Sequence, residues 1–343
     1  MSTASVVTGA GGFVGGRLVD ALLARGDAVV ATDVRLDGLP AGAQARRCDV
    51  TDPAQVRDAV AGAEVVFHVA SLVHTRQSSA DTVWAVNHRG TQNVISACRD
   101  AGVRRLVHVS SASVVYQGGD IEGGDESLPY ATTSQAPYAD SKIAAERDVL
   151  AAHAPDGLRT VALRPHVVYG PGDGRFLPAI LRRAEAGRLK LGVGRGRKLS
   201  DFTYIDNLTD ALLAADARLA ADASVGARAY FITNGEPIGF WEFVDRVLVE
   251  LGERPTRGRV PYWLAWTVAA LAETAAAARG TAPGVEDGLS RFAVRYMCTH
   301  HYFSIAGAAE ALGWAPRVSL DEGIRRTVAH LRDTGAWERG GSR

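Results

Sequence analysis

Eight residues near the start, Thr8-Gly9-Ala10-Gly11-Gly12-Phe13-Val14-Gly15, constrain this chain more than any other stretch. They follow a β-branched run, Ser5–Thr8, and open a segment with helical spacing, Phe13–Arg25, that stops at Gly26. Glycines at 9, 12 and 15 permit a tight turn, close approach of the backbone to a pyrophosphate, and close packing of helix on strand. The free amides and partial positive charge of the helix N-terminus, where Phe13 and Val14 fall, favour the phosphates. Asp33 then ends a second strand. A carboxylate there accepts hydrogen bonds from a ribose diol and repels a 2′-phosphate, which favours NAD. Arg35 is placed to serve a 2′-phosphate instead, so NADP stays open.

The first half alternates two periodicities. Short apolar runs at Ala28–Asp33, Glu64–Val69, Arg105–Ser110 and Leu158–Arg164 are separated by helical segments. Continuous apolar strands alternating with helices predict a parallel, doubly wound α/β sheet covered on both faces. Asp52-Pro53-Ala54-Gln55 predicts a helix start, with Asp52 capping, Pro53 in the first turn and Gln55 reaching back. Asp49 and Val50 lie after the third strand. Asp49 suits either an adenine amino group or a helix cap. Val69, Ala70 and Ser71, at the end of the fourth strand, fall where open α/β sheets place their ligands.

Residues 1–170 are expected to form the dinucleotide-binding domain, with 201–233 returning to its sheet. Residues 171–200 and 234–339 are expected to build a smaller, mostly helical C-terminal substrate lobe, and 340–343 a flexible tail.

Composition narrows the function. Lys+Arg and Asp+Glu both number 38 in 343 residues, so the basic surplus that nonspecific nucleic-acid binding requires is missing. Three scattered cysteines make no disulfide framework and suit a reducing, cytoplasmic setting. The longest apolar stretch, Val260–Ala272, contains Pro261 and is too short to cross a bilayer. No leader peptide is expected.

Tyr138 and Lys142, four apart behind Pro137, share one helix face. An ammonium beside the phenol is expected to lower its pKa toward neutrality and make it useful in acid/base work. Ser110 and Ser111 place hydroxyls at the end of the fifth strand.

Together these pieces resemble the extended branch of the short-chain dehydrogenase/reductase superfamily. They are most similar to its 3β-hydroxysteroid dehydrogenase group, with the decarboxylating sterol-4-carboxylate dehydrogenases and the 2-alkyl-3-oxoalkanoate reductases. The resemblance covers nearly the whole chain. It rests on TGAGGFVG (8–15), FHVAS (67–71), VNHRGTQNV (86–94), VSSASV (109–114), YADSK (138–142), LRPHVVYGPGD (163–173), DFTYIDN (201–207) and YFSIAGAAEALGWAP (302–316), in that order. It implies a Rossmann-type fold. It implies Tyr138 as general acid/base, Lys142 orienting the nicotinamide ribose, Ser111 holding the substrate oxygen and Asn87 supporting the site from the adjoining helix. Pro165, His166 and Val167 correspond to residues around the nicotinamide. His166 departs from the asparagine usual in nucleotide-sugar members.

The expected activity is NAD(P)-dependent interconversion of a secondary alcohol and a ketone on an apolar small molecule of sterol or 2-alkyl-3-oxoalkanoate type. A nucleotide-sugar epimerase or dehydratase would need diphosphate ligands, for which Arg175, Arg195 and Arg197 are candidates. A noncatalytic dinucleotide sensor would have no chemical need of the Ser/Tyr/Lys set. His74, Tyr116, His166, Trp263 and Trp266 are candidates to line the substrate site. The segment around Trp263 and Trp266 suits a core helix as well as a pocket wall, and its lack of Lys and Arg disfavours a membrane-surface role. A metal at His300-His301 beside Cys298 is not expected, since no acidic partner is evident. Helices at 80–100 and 138–153 suggest a homodimer face by family analogy.

Overall fold

A computed structural model describes residues 3–73, 79–133, 136–187, 189–278 and 290–337. His74 and the tail at 340–343 lie outside the described residues.

Seven strands form the central sheet: β1 (Ala4–Thr8), β2 (Ala28–Asp33), β3 (Gln44–Arg47), β4 (Val65–His68), β5 (Arg105–Val109), β6 (Arg159–Pro165) and β7 (Ala229–Ile232). Their spatial order is β7-β6-β5-β4-β1-β2-β3 and every neighbouring pair is parallel. The chain leaves β1 toward β2 and β3, then crosses back to β4 and onward. A crevice therefore opens at the carboxyl ends of β1 and β4, where such sheets bind ligands.

Apolar continuity makes the sheet a middle layer. Val7, Phe67, Val107 and Leu163 pack with Leu18 and Leu22 of helix Phe13–Arg25 and with Leu208 and Leu212 of helix Ile205–Ala221. On the other face, Val6, Val66 and Leu106 pack with Val56 and Val60 of helix Pro53–Val60 and Val94 and Cys98 of helix Gly90–Asp100. Both faces of β1, β4, β5, β6 and β7 are buried, so these strands need no polar alternation, whereas the edge strand β3 is polar and mostly exposed. Gly26 closes the first helix in the left-handed region with φ of 91°, its amide bonding to Leu22 and Leu23 carbonyls. Asp52 caps the second helix through the Ala54 and Gln55 amides, and Gln55 Oε1 accepts from the Asp49 amide.

The second core belongs to the lobe. Leu177, Phe202, Phe243, Leu248, Val294 and Leu331 gather there, with the Phe202 and Phe243 rings stacked 3.9 Å apart. One expectation is corrected here. Ala229–Ile232 joins the central sheet as β7, but the segment around Asp201–Ile205 does not. Thr203–Tyr204 pairs in parallel with Val168–Tyr169 as a separate two-stranded unit. The line of β6 is broken at Val167, whose φ of 35° turns the chain out of the sheet before it can extend further.

Among the described residues no helix is long and apolar enough to cross a membrane.

Candidate active site

The glycine turn is built to keep side chains out. A Cβ on Gly9, which has φ of 72°, would lie 2.7 Å from the Ala70 Cα, and one on Gly15 would lie 2.1 Å from the Gly9 carbonyl oxygen. Gly12 donates to that same carbonyl at 3.0 Å. The loop is thus pressed against Val69 and Ala70 at the end of β4, and its exposed rim offers backbone amides alone. Asp33 sits beside it: the Gly11 amide donates to Oδ2 at 3.0 Å and the Arg35 amide to Oδ1 at 3.2 Å. The Gly11 contact, which the sequence reading missed, fixes the carboxylate against the cradle.

Behind this loop runs a buried polar chain. Thr8 Oγ1 accepts from the Val69 and Ala70 amides, both at 3.2 Å, and bonds His68 Nδ1 at 2.8 Å. His68 Nε2 meets Thr91 Oγ1 at 2.9 Å. Burial holds His68 down to about 3, so the ring is neutral. Asn87 lies in the π-helical turn Ala85–Arg89 between helices Ala80–Trp84 and Gly90–Asp100. Its Oδ1 accepts from the Leu72 amide at 2.7 Å and the Ser71 hydroxyl at 3.2 Å, while Nδ2 donates to Leu72 O and to Ser141 Oγ, each at 3.0 Å. Asn87 therefore ties the β4 loop to the helix that carries Tyr138, Pro137–Ala151.

Asp49 is bonded within its own loop. Its Oδ1 accepts from the Thr51 amide and hydroxyl at 2.9 and 2.7 Å, while Val50 is buried against Gly90.

Ser111, Tyr138 and Lys142 converge at the carboxyl end of β5. Ser111 Oγ accepts from the Ser113 amide and hydroxyl at 3.2 and 2.9 Å, capping the short turn Ala112–Val115, and its hydroxyl favours ionisation of the Tyr138 phenol. Ser110 is buried with no partner for its hydroxyl among the described residues. Lys142 is buried, and its ammonium donates to Val109 O at 2.6 Å and lies 3.3 Å from His108 Nε2. Burial lowers Lys142 to about 8, against a counter-pull from Glu146.

The phenol departs from expectation. Burial pushes the Tyr138 pKa up, opposed by its Ser111 hydrogen bond and by the Arg175 guanidinium. The ammonium of Lys142 is committed to Val109 and His108 instead of the phenol. Arg175 is the cation that acts on Tyr138, held by a 2.8 Å hydrogen bond to Val73 O.

An aromatic box that sequence reading largely missed closes the site. Tyr116 packs edge-on against Tyr296 (5.4 Å), Phe292 (6.3 Å) and His301 (6.0 Å). His166 stacks on His301 at 4.9 Å, and its Nε2 bonds the Tyr296 hydroxyl at 3.0 Å. Burial keeps His166 and His301 neutral, the latter at about 4. The Tyr296 ring also stacks on His301 at 4.0 Å and on Phe292 at 5.8 Å, at the centre of the box. Pro165 and Val167 flank His166 at the end of β6. Thr203 Oγ1 donates to His166 O at 2.6 Å and the Thr203 amide to Val167 O at 3.1 Å, so the unusual Val167 backbone is held from both sides.

The structure does not bring Trp263 or Trp266 into this box. Trp263 is 67% exposed, and Trp266 packs on the lobe core under Arg291. Their own helix, Tyr262–Ala278, turns Ala265 and Ala269 inward, so the core reading holds for these alanines and in part for Trp266, while Trp263 faces outward. His300 does have acidic neighbours: Asp120 and Glu122 offer ligand atoms within 4.8 Å of it. Asp120 is already engaged by Lys198 and the His300 amide.

Comparison with known proteins identifies the family. Residues 6–261 match the model of the 3-beta hydroxysteroid dehydrogenase/isomerase family. The chain is 36% identical over 330 residues to a sterol-4-alpha-carboxylate 3-dehydrogenase, decarboxylating, of Bos taurus, covering 95% of this chain and 92% of the relative. It is 39% identical over 333 residues to a 2-alkyl-3-oxoalkanoate reductase of Stenotrophomonas maltophilia, covering 94% and 98%. Among solved structures it is similar to MoeE5 in complex with UDP-glucose and NAD, with a TM-score of 0.74, 29% identity and coverage of 96% and 99%. On the family match and these relatives, this chain belongs to the 3-beta hydroxysteroid dehydrogenase/isomerase family.

Proposed function

We propose that this enzyme is an NAD-dependent oxidoreductase that interconverts a secondary alcohol and a ketone at the carbon β to a carboxylate, on an otherwise apolar molecule. The carrying observation is that Ser111 caps the turn at the carboxyl end of β5, Lys142 donates to Val109 O at that same strand end, and Asn87 ties the helix bearing Tyr138 and Lys142 to the β4 loop. The names of the two relatives describe substrates of one pattern, a carboxylate one carbon removed from the carbon that bears the reacting oxygen.

The cradle fits a dinucleotide. Gly9, Gly12 and Gly15 leave room for a pyrophosphate against the amides at Phe13 and Val14, and Asp33 is held where a ribose diol would reach it. Val69, Ala70, Ser71, Ser110, Pro165, His166 and Val167 ring the crevice between. Bound there, the nicotinamide supplies the hydride acceptor or donor. Tyr138 moves the hydroxyl proton: its raised pKa keeps the phenol protonated, the form that donates to a carbonyl oxygen in reduction. Ser111 holds that oxygen, and Lys142, at the carboxyl end of β5, would hold the nicotinamide ribose. Arg175 pairs with the carboxylate, and the box of Tyr116, His166 and Tyr296 receives the apolar remainder and excludes water.

The nucleotide-sugar reading has less support, because the neutral, stacked His166–His301 pair offers no charge to a diphosphate. Three free, well-separated thiols support a cytoplasmic setting. The packed pair of helices Gly90–Asp100 and Pro137–Ala151 is our candidate homodimer face. The test is cofactor-linked absorbance with 2-alkyl-3-oxoalkanoates, sterol carboxylates and nucleotide sugars. Turnover confined to the carboxylate-bearing apolar compounds is expected; turnover of nucleotide sugars alone overturns the proposal.

A further inference from the structure

His108 is out of place in its strand. β5 reads Arg-Leu-Val-His-Val and is buried throughout, so packing alone would suit a Val or a Phe at this position. His68, its register partner on β4, is a satisfied core histidine: its two ring nitrogens bond threonines, Thr8 at 2.8 Å and Thr91 at 2.9 Å. The two rings lie 5.2 Å apart. His108 is not satisfied in this way. Its Nε2 lies 3.3 Å from the Lys142 ammonium, and its Nδ1 is buried with no hydrogen-bond partner among the described residues.

An ammonium can only donate, so Nε2 must accept and the ring proton must sit on Nδ1. The ring thus forgoes one hydrogen bond in order to present a lone pair to Lys142. An orphaned buried donor costs stability, and a phenyl ring would fill the same space without that cost. Folding therefore does not account for His108; the group it serves is Lys142.

An ammonium has three N–H donors. One of those on Lys142 goes to Val109 O at 2.6 Å and another to His108 Nε2, both on β5. On the assignment of Lys142 to the nicotinamide ribose, we propose that His108 is a positioning residue: with Val109 O it clamps the Lys142 ammonium at the end of β5 and leaves one N–H for that ribose. The clamp also bears on charge. Burial lowers Lys142 to about 8, so the ammonium form holds at neutral pH by a narrow margin. A neutral acceptor such as His108 stabilises that form. The other titratable groups around it are His68 on β4, Glu146 one turn later on its own helix with Arg164 of β6 behind it, and Tyr138 one turn earlier. The nitrogens of His68 are taken and the Glu146 carboxylate is committed to Arg164, so neither replaces the His108 acceptor.

The test is NAD affinity of the full chain by fluorescence titration, followed from about pH 6 to about pH 10 for wild type, His108→Phe and His108→Gln. It needs no substrate, so it stands apart from the proposed turnover. Wild-type affinity is expected to fall as pH rises past about 8, where the ammonium is lost. His108→Phe keeps a ring and removes the acceptor, and the fall is expected about one pH unit lower. His108→Gln carries an amide oxygen within reach of the Nε2 position and is expected to restore the wild-type profile. Coincident profiles for wild type and His108→Phe overturn the proposal. A shift in His108→Gln as large as in His108→Phe also overturns it, and marks a packing defect instead. Wild type that binds no NAD at any pH overturns the assignment of the cradle itself, and this proposal with it. A measurement on the unaltered chain covers the case in which His108→Phe fails to fold. Nitrogen NMR of labelled histidine is expected to find the His108 proton on Nδ1; a proton on Nε2 overturns the proposal.

Discussion

Tyr138, Lys142 and Ser111 were legible because two of them sit one helical turn apart and the third ends a strand. The sequence could not show where the Lys142 ammonium would point. The ammonium donates to Val109 O, and the guanidinium that favours ionisation of Tyr138 is Arg175, from a distant loop that no local spacing encodes. Tyr296, His301 and Phe292 were missed for the same reason, since the box forms only when residues from 116 to 301 fold together. Tyr138→Phe keeps the ring and removes the transferable proton. Turnover is expected to fall about 10²–10⁴-fold, with NAD affinity by fluorescence titration held near wild type. Arg175→Gln is expected to raise KM for a 3-oxo acid on the order of tenfold or more while leaving KM for its ester unchanged, because only the free acid needs the cation. Equal effects on acid and ester would remove Arg175 from substrate binding. Asp33→Ala is expected to narrow or invert the preference for NAD over NADP, read as a ratio of kcat/KM; an unchanged ratio would move cofactor choice to Arg35.

At the scale of elements, the alternation of strand and helix was readable because each parallel strand is apolar throughout, and that pattern placed every strand around the crevice except β3. The short strands of the lobe were not readable. Pieces of two or three residues, such as Leu199–Ser200 and Ile238–Gly239, carry no period of their own and are strands only because a partner lies alongside. The helix at Tyr262 shows a related limit: hydrophobicity revealed that something apolar was there, but alanines took the inward positions. The glycine turn allows a sharp test. Gly15→Ala drives a methyl into the Gly9 carbonyl, and the neighbouring atoms are backbone that cannot swing aside. Cofactor affinity is expected to drop at least tenfold, on the order of the 1.4 kcal/mol or more that a displaced phosphate loop costs, with a lowered Tm in thermal unfolding. Gly26→Ala, whose Cβ would meet nothing within 4 Å, is the control: it strains φ, yet leaves cofactor affinity unchanged.

Across the whole molecule, the seam between sheet and lobe carries a pH liability. Asp201 is buried there, accepting from the Phe303 amide at 2.7 Å, and burial pushes its carboxyl up to about 7. The folded chain therefore holds this proton at pH values where the unfolded chain has released it. The corresponding contribution to stability declines as pH rises from near 4 to near 7 and stays lost above that. Thermal melts of Asp201→Asn are expected to show a flatter pH profile than wild type across this window, with the greatest relative gain at or above neutrality. Identical profiles would show that the carboxyl ionises at its ordinary pH. The same seam has a consequence for modularity. The chain passes from sheet to lobe after Pro165, returns for β7, leaves again, and sends His301–Phe303 back to pair with both Leu199–Ser200 and Ile121–Gly124. No single cut separates cofactor half from substrate half. A lobe cannot be transplanted between relatives as one cassette, and new specificity on this scaffold must arise by substitution in place, one side chain of the aromatic box at a time.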